Sequence, residues 1–283
     1  MVDPVELKRY RWTSGATDVP FLMGAIGASA LSGPALVDLL QQLGRNESAA
    51  RNLLTRMSAL GALDVHPQGR INTYRLTPSS TARYQEVEGT SDQNSWSGDF
   101  HTLIYHVPET QRVLRDRVLH VGQHAGYGIL RPGVLIAAGD RWERLRLADD
   151  EFDGDAWIWR VTLTPKSLAD ARDIARNAWN LAALAASYRA ALLACSNVPP
   201  IITPGSEALI GWRDLYGSFL EAQLKDPQLP HALLPSDWPA SRFQEAQKNV
   251  NLLIGAVLQP YLRERAIRLD PSGVNVFYDS PWS

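Results

Sequence analysis

Five side chains able to recognise a nucleic acid lie within nine residues: Ser48, Arg51, Asn52, Thr55 and Arg56. At about 100° per residue a helix gathers them on one side and Ala50, Leu53, Leu54, Met57 and Leu60 on the other. Arginine and asparagine make the paired hydrogen bonds that distinguish guanine and adenine edges in the major groove. Serine and threonine suit phosphate oxygens, which fix register without reading sequence. That outer face reads as short, polar and cationic, without a carboxylate. Gln68 and Arg70 stand in Pro67-Gln68-Gly69-Arg70, a turn signal between two strand-like runs, where they would meet backbone or a minor groove.

Those side chains need elements to hold them. A nearly continuous apolar run, Val19 to Ser29, predicts a buried helix. Ser32 caps a second helix with Pro34 in its first turn, and Leu36, Leu39, Leu40 and Leu43 give it an apolar stripe ended by Gly44. Asn46 caps the third, with Glu47 favourable at the positive end of the dipole. Leu63 to His66 and Ile71 to Leu76 then alternate as a hairpin. This order predicts a winged helix-turn-helix over residues 17–84 that binds double-stranded DNA. Six arginines between Arg45 and Arg83 face only Glu47 and Asp64, a local +4 in a chain of net charge −2.

Other chemistry finds less support. His120 and His124 have helical i,i+4 spacing, but Gly122 is expected to interrupt that helix, and His101 and His106 point to opposite strand faces. No metal and no cofactor is expected. The strand near Thr102 carries no carboxylate for nuclease chemistry, and the phosphate-loop, nucleophile-elbow, zinc-protease and dinucleotide motifs are absent, so the chain reads as no enzyme. The C-terminal part is rich in aromatics at helical spacing. Trp179, Tyr188, Trp212, Tyr216 and Trp238, with Arg189 and Arg213, are candidates for the wall of an effector pocket.

The 283 residues suit two or three domains. A polar stretch, 85–99, reads as a linker between the first zone and a middle zone, 100–164. There, strand-like Thr102–Val107 is followed by a helix from Thr110 to His120 with Val113, Leu114, Val118 and Leu119 inward. Strands at Val134–Ile136 and Trp157–Leu163 follow. Asp149 to Asp155, five acids in seven residues, reads as a solvated loop. Residues 165–283 read as a helical domain. The fold class is α+β. One cysteine, Cys195, in an apolar run, and no membrane span or signal peptide core fit a cytoplasmic protein.

Several segments together resemble the PaaX-like family of transcriptional regulators. They are Leu36-Val37-Asp38-Leu39-Leu40, Ala50 to Met57, Gly69-Arg70 with Tyr74 to Thr77, Val107-Pro108-Glu109, Gly126-Tyr127-Gly128 and Pro132 to Ile136. The most specific is the proline-spaced run Asp226-Pro227, Leu229-Pro230, Leu233-Leu234-Pro235, Asp237-Trp238-Pro239. The resemblance implies a ferredoxin-like (split βαβ) middle domain, a helical C-terminal domain and a homodimer. It also implies repression of a catabolic operon, relieved by an acyl- or aryl-coenzyme A effector. Two other readings stay open: a protein-interaction module that binds no DNA, and an enzyme acting on acyl-coenzyme A.

Overall fold

Gly27 breaks the apolar run near its end. The computed structural model describes residues 17–81, 96–148, 151–270 and 272–278. Helix α1 (Asp18–Ile26) stops where Gly27 turns left-handed at φ 67° and ψ 51°. Glycine takes that conformation without the steric cost other residues meet. The expected helix to Ser29 is therefore three residues too long, and Ala28–Ser32 forms strand β1 instead.

Ser32 then caps α2 (Gly33–Gln42), its Oγ accepting from the Ala35 N–H at 3.4 Å. Leu36, Leu39, Leu40 and Leu43 are buried, as their spacing demands. Helix α3 (Glu47–Ala59) follows, and the hairpin β2 (Leu63–Gln68) and β3 (Ile71–Leu76) comes next. Its turn is tighter than expected. Gln68 pairs with Ile71 and Pro67 with Asn72, leaving only Gly69, at φ 63°, and Arg70 between the strands. Pro67 is tolerated because β2 is an edge strand. Leu60, expected inside, is 45% exposed; it lies just past the last turn of α3 and faces away. A short strand β8 (Val276–Phe277) pairs with β1, giving an antiparallel sheet in the order β2-β3-β1-β8.

A second sheet has the order β5-β6-β4-β7, built from β4 (Phe100–His106), β5 (Gly128–Arg131), β6 (Val134–Ala137) and β7 (Trp157–Leu163), all pairs antiparallel. Helix α4 (Arg112–His124) joins β4 to β5, and a single turn α5 (Trp142–Leu145) lies between β6 and β7. Helix α4 runs unbroken through Gly122, against expectation. The glycine is there for packing: a Cβ would stand 2.7 Å from Leu135 Cδ1. Val113, expected inward, is 73% exposed, because Val118 and Gly122 carry the buried face.

Four further helices are α6 (Leu168–Trp179), α7 (Leu181–Ser196), α8 (Ser206–Leu224) and α9 (Ala240–Arg268). Asn180, left-handed at φ 45°, separates the first two. Chain contacts divide the protein into two units: residues 1–88, 191–221 and 242–283, and residues 89–190 and 222–241. The helical segment 165–283 is thus shared between them. Most of the linker read at 85–99 lies outside the described residues; Trp96 enters the second unit by donating its indole N–H to Asp99 O at 2.9 Å. Among the described residues no helix is long and apolar enough to cross a membrane.

Helix α6 crosses the second sheet at Gly128, where a Cβ would stand 2.6 Å from the Trp179 ring and 2.9 Å from Ala178 Cβ. Overpacking of this kind costs about 1–3 kcal/mol. Gly128→Ala is expected to lower stability by about that amount in urea titration, while Gly139→Ala, which meets nothing within 4 Å, stays close to the unaltered chain.

Candidate nucleic-acid interface

Helix α3 is amphipathic in the manner its sequence requires. Asn46 Oδ1 accepts from the Ala49 N–H at 2.8 Å, and Ala50, Leu53, Leu54 and Met57 are buried. Ser48, Arg51, Asn52, Thr55 and Arg56 are all exposed. So are Gln68 and Arg70 at the hairpin tip. The seven side chains read from sequence therefore occur on two exposed, successive elements of one unit.

The face differs from the expectation in charge. It is not free of carboxylate: Glu47, one turn earlier, accepts from Arg51 Nε at 2.9 Å and from Nη2 at 2.8 Å. Both partners are mostly exposed, at 65% and 59%. An exposed i,i+4 pair contributes about 0.3–0.5 kcal/mol, so it yields readily to a phosphate or base edge. Arg56 has no ion pair among the described residues. Thr55 donates its hydroxyl to Arg51 O at 3.1 Å, leaving its lone pairs for an incoming donor.

Arg45, counted in the basic patch, is also committed. Its Nε and Nη2 lie 2.8 and 2.7 Å from Asp18 Oδ2. Asp18 is fully buried at the start of α1, and Arg213 Nη1 of α8 stands 3.6 Å from its other oxygen. Arg265 of α9 grips Asp38 of α2 through two bonds of 2.9 and 2.8 Å, and that carboxylate raises the already high arginine pKa. These five charged residues come from separate segments, and sequence spacing carries no sign of their pairing. Arg83 lies outside the described residues.

The candidates for an effector wall fall into two groups. Trp212 and Tyr216, with Arg213 between them, belong to α8 in the first unit. Trp212 and Tyr216 both contact Phe21 of α1, with ring centroids 5.5 and 5.4 Å apart. Trp179, Tyr188, Arg189 and Trp238 belong to the second unit. Trp179 donates its indole N–H to Gly126 O at 3.2 Å. Tyr188 donates its hydroxyl to Asp226 and stands edge-on to Trp238 at 6.0 Å; burial pushes both the Tyr188 and Asp226 pKa values up. Arg189 pairs with Asp237 at 3.2 Å.

His120 and His124 are neighbours on α4, ring centroids 4.1 Å apart and planes tilted by 47°, and burial with the neighbouring imidazole lowers the His120 pKa. Among the described residues no group of three or more potential ligands gathers around them or elsewhere. Cys195 is buried, and burial raises its thiol pKa.

Residues 24–80 match the PaaX-like protein family, and residues 93–175 match the PaaX protein central Cas2-like domain. The transcriptional repressor PaaX of Escherichia coli (strain K12) is 23% identical over 242 residues, 81% of this chain and 76% of the repressor. Among solved structures, the uncharacterized protein Rv0674 from Mycobacterium tuberculosis superposes with a TM-score of 0.60 at 23% identity, over 91% of this chain and 99% of that one. With both its first unit's helical core and its central sheet matched in succession, the chain belongs to the PaaX-like family.

Proposed function

We propose that this chain is a DNA-binding transcriptional repressor, not an enzyme, and that residues 17–84 form a winged helix-turn-helix. The observation that carries this is the exposed polar face of α3, followed at once by a hairpin with Arg70 at its tip. The order α1-β1-α2-α3-β2-β3, with β1 added to the hairpin, supports the winged form. In this reading α3 enters the major groove. Arg51, Asn52 and Arg56 meet base edges, Ser48 and Thr55 meet phosphates, and Gln68 and Arg70 meet backbone or minor groove.

The strand order β5-β6-β4-β7, with a helix between the first two strands in sequence, supports a ferredoxin-like middle domain over 100–164. We assign dimerisation and signal transmission to that domain, and the helical segment 165–283 to support of the reader. The similarity to the transcriptional repressor PaaX of Escherichia coli supports a repressor; a cytoplasmic location, control of a catabolic operon and relief by an acyl- or aryl-coenzyme A effector are what the family resemblance suggests.

Charge on α3 gives a graded test. In fluorescence anisotropy with the DNA upstream of the chain's own gene, Arg56→Ala is expected to cost about 1–3 kcal/mol if Arg56 reads a base. If it meets only phosphate, the slope of log K against log salt falls by about 0.9. Glu47→Gln, which frees Arg51, should tighten binding. Unchanged binding in both variants would exclude α3 as the reader.

A dimer of such readers places its two recognition helices about 34 Å, one DNA turn, or a multiple apart. Footprinting is expected to protect two symmetric half-sites, and light scattering to give a dimer. A monomer protecting a single half-site would overturn the two-fold reading.

A further inference from the structure

The first unit contains a cavity of about 510 Å³ lined by α1, α8 and the end of β3, and none of the seven candidate DNA-reading side chains is among its described lining residues. Its walls include Phe21, Trp212 and Tyr216, with Met23 and Leu76 adding apolar surface. The rings of Phe21 and Trp212 meet edge to face at 83°, and Phe21 and Tyr216 are tilted by 42°. The volume lies in the range of small-molecule sites, and the lining is of the kind that takes a planar ring.

Two side chains with hydrogen-bond donors stand on that wall, Asn251 and Arg75. Asn251, only 3% exposed, accepts the Trp212 indole N–H on Oδ1 at 3.0 Å. The indole is a donor only, so this bond fixes which end of the amide is oxygen. The amide nitrogen is left without an acceptor among the described residues. Arg75, on β3, also lines the cavity, is exposed, and has no ion pair among the described residues.

We propose that this cavity is a binding site for a small aromatic carboxylate: the ring lies among Phe21, Trp212 and Tyr216, and the carboxylate accepts from the Asn251 amide and the Arg75 guanidinium. A carboxylate is an acceptor only and suits two donors, one of them charged. A coenzyme A thioester fits less well. Its phosphates need several cations, and Arg75 is the one cation among the described lining residues.

The site is built from the helices that hold the reader, which deepens the regulatory reading and rests on it for its consequence, though not for binding itself. Helix α1 carries Phe21 and, one turn earlier, Asp18, which grips Arg45 in the turn before α3. Helix α8 carries Trp212 and Tyr216 and, between them, Arg213, which stands on the same Asp18. A ligand wedged between α1 and α8 therefore acts on the groups that seat α3. It shifts DNA binding only so far as it favours one seating of α3 over the other.

The test is calorimetry on the full chain without DNA, using benzoate, phenylacetate, phenylacetamide and phenylacetyl-coenzyme A. At least one free acid is expected to bind one per chain, tenfold or more tighter than the neutral amide. Arg75→Gln should erase that preference. Asn251→Asp keeps an acceptor for Trp212 while setting a carboxylate against the ligand, and should weaken the acid at least tenfold with the melting temperature close to the parent's. The proposal is overturned if no acid binds at millimolar concentration, if only the thioester binds, or if both variants bind the acid as the parent does. A chain that binds the acid but no DNA would keep this site and remove the regulatory reading.

Discussion

The buried carboxylate of Asp18 is the constraint on which the first unit turns. A charge taken out of water costs several kcal/mol unless partners restore what hydration gave. Asp18 is fully buried, and its partners arrive from two other segments: Arg45 between α2 and α3, and Arg213 on α8. The first grips one oxygen with two nitrogens; the second stands at 3.6 Å from an oxygen that has no hydrogen bond. Removing one partner from a buried pair typically costs about 3–5 kcal/mol, so the start of α1, the turn before α3 and α8 are held as one arrangement. The direction in which α3 presents Arg51, Asn52 and Arg56 follows from that arrangement as much as from its own amphipathicity.

A second clamp works alongside it. Arg265 of α9 holds Asp38 of α2 by a two-toothed bond, and Arg263 donates to the carbonyls of Ile26 and Tyr278. Helices from residues 206 onward thus serve the N-terminal elements directly. The basic patch is correspondingly less charged than its composition suggests: Arg45 is spent on Asp18 and Arg51 is shared with Glu47, while Arg56 and Arg70 stand exposed at the surface.

Local signals made much of this legible. Ser32 and Asn46 are capping residues with the correct spacing to their first turns, and both accept the expected backbone N–H. Leucine periodicity on α2 and α3 matched their buried faces, except at Leu60 just past the end of α3. The glutamate four residues before Arg51 was visible too, and an i,i+4 rule would have paired them. Strand β1 was hidden, because an apolar run is as good a buried strand as a buried helix, and only Gly27 marked the change. Strand β8 is two residues long and pairs with residues some 250 positions earlier, beyond any local pattern. Aromatic spacing pointed at Trp212 and Tyr216 but not at Phe21 or Asn251, which join them only through the fold.

The central claim is that the outer face of α3 lies in the major groove. Cys195 is the chain's one cysteine and is buried, so Asn52→Cys provides a single exposed thiol. An iron chelate attached there and activated on DNA upstream of the gene should cut within the major groove at two sites about one helical turn, or a multiple, apart. The same chelate on exposed Leu193 should leave the duplex intact or cut it without pattern. Equal, unpatterned cutting from both positions, or none from residue 52 on DNA the protein demonstrably binds, would contradict the assignment of α3 as the reading element.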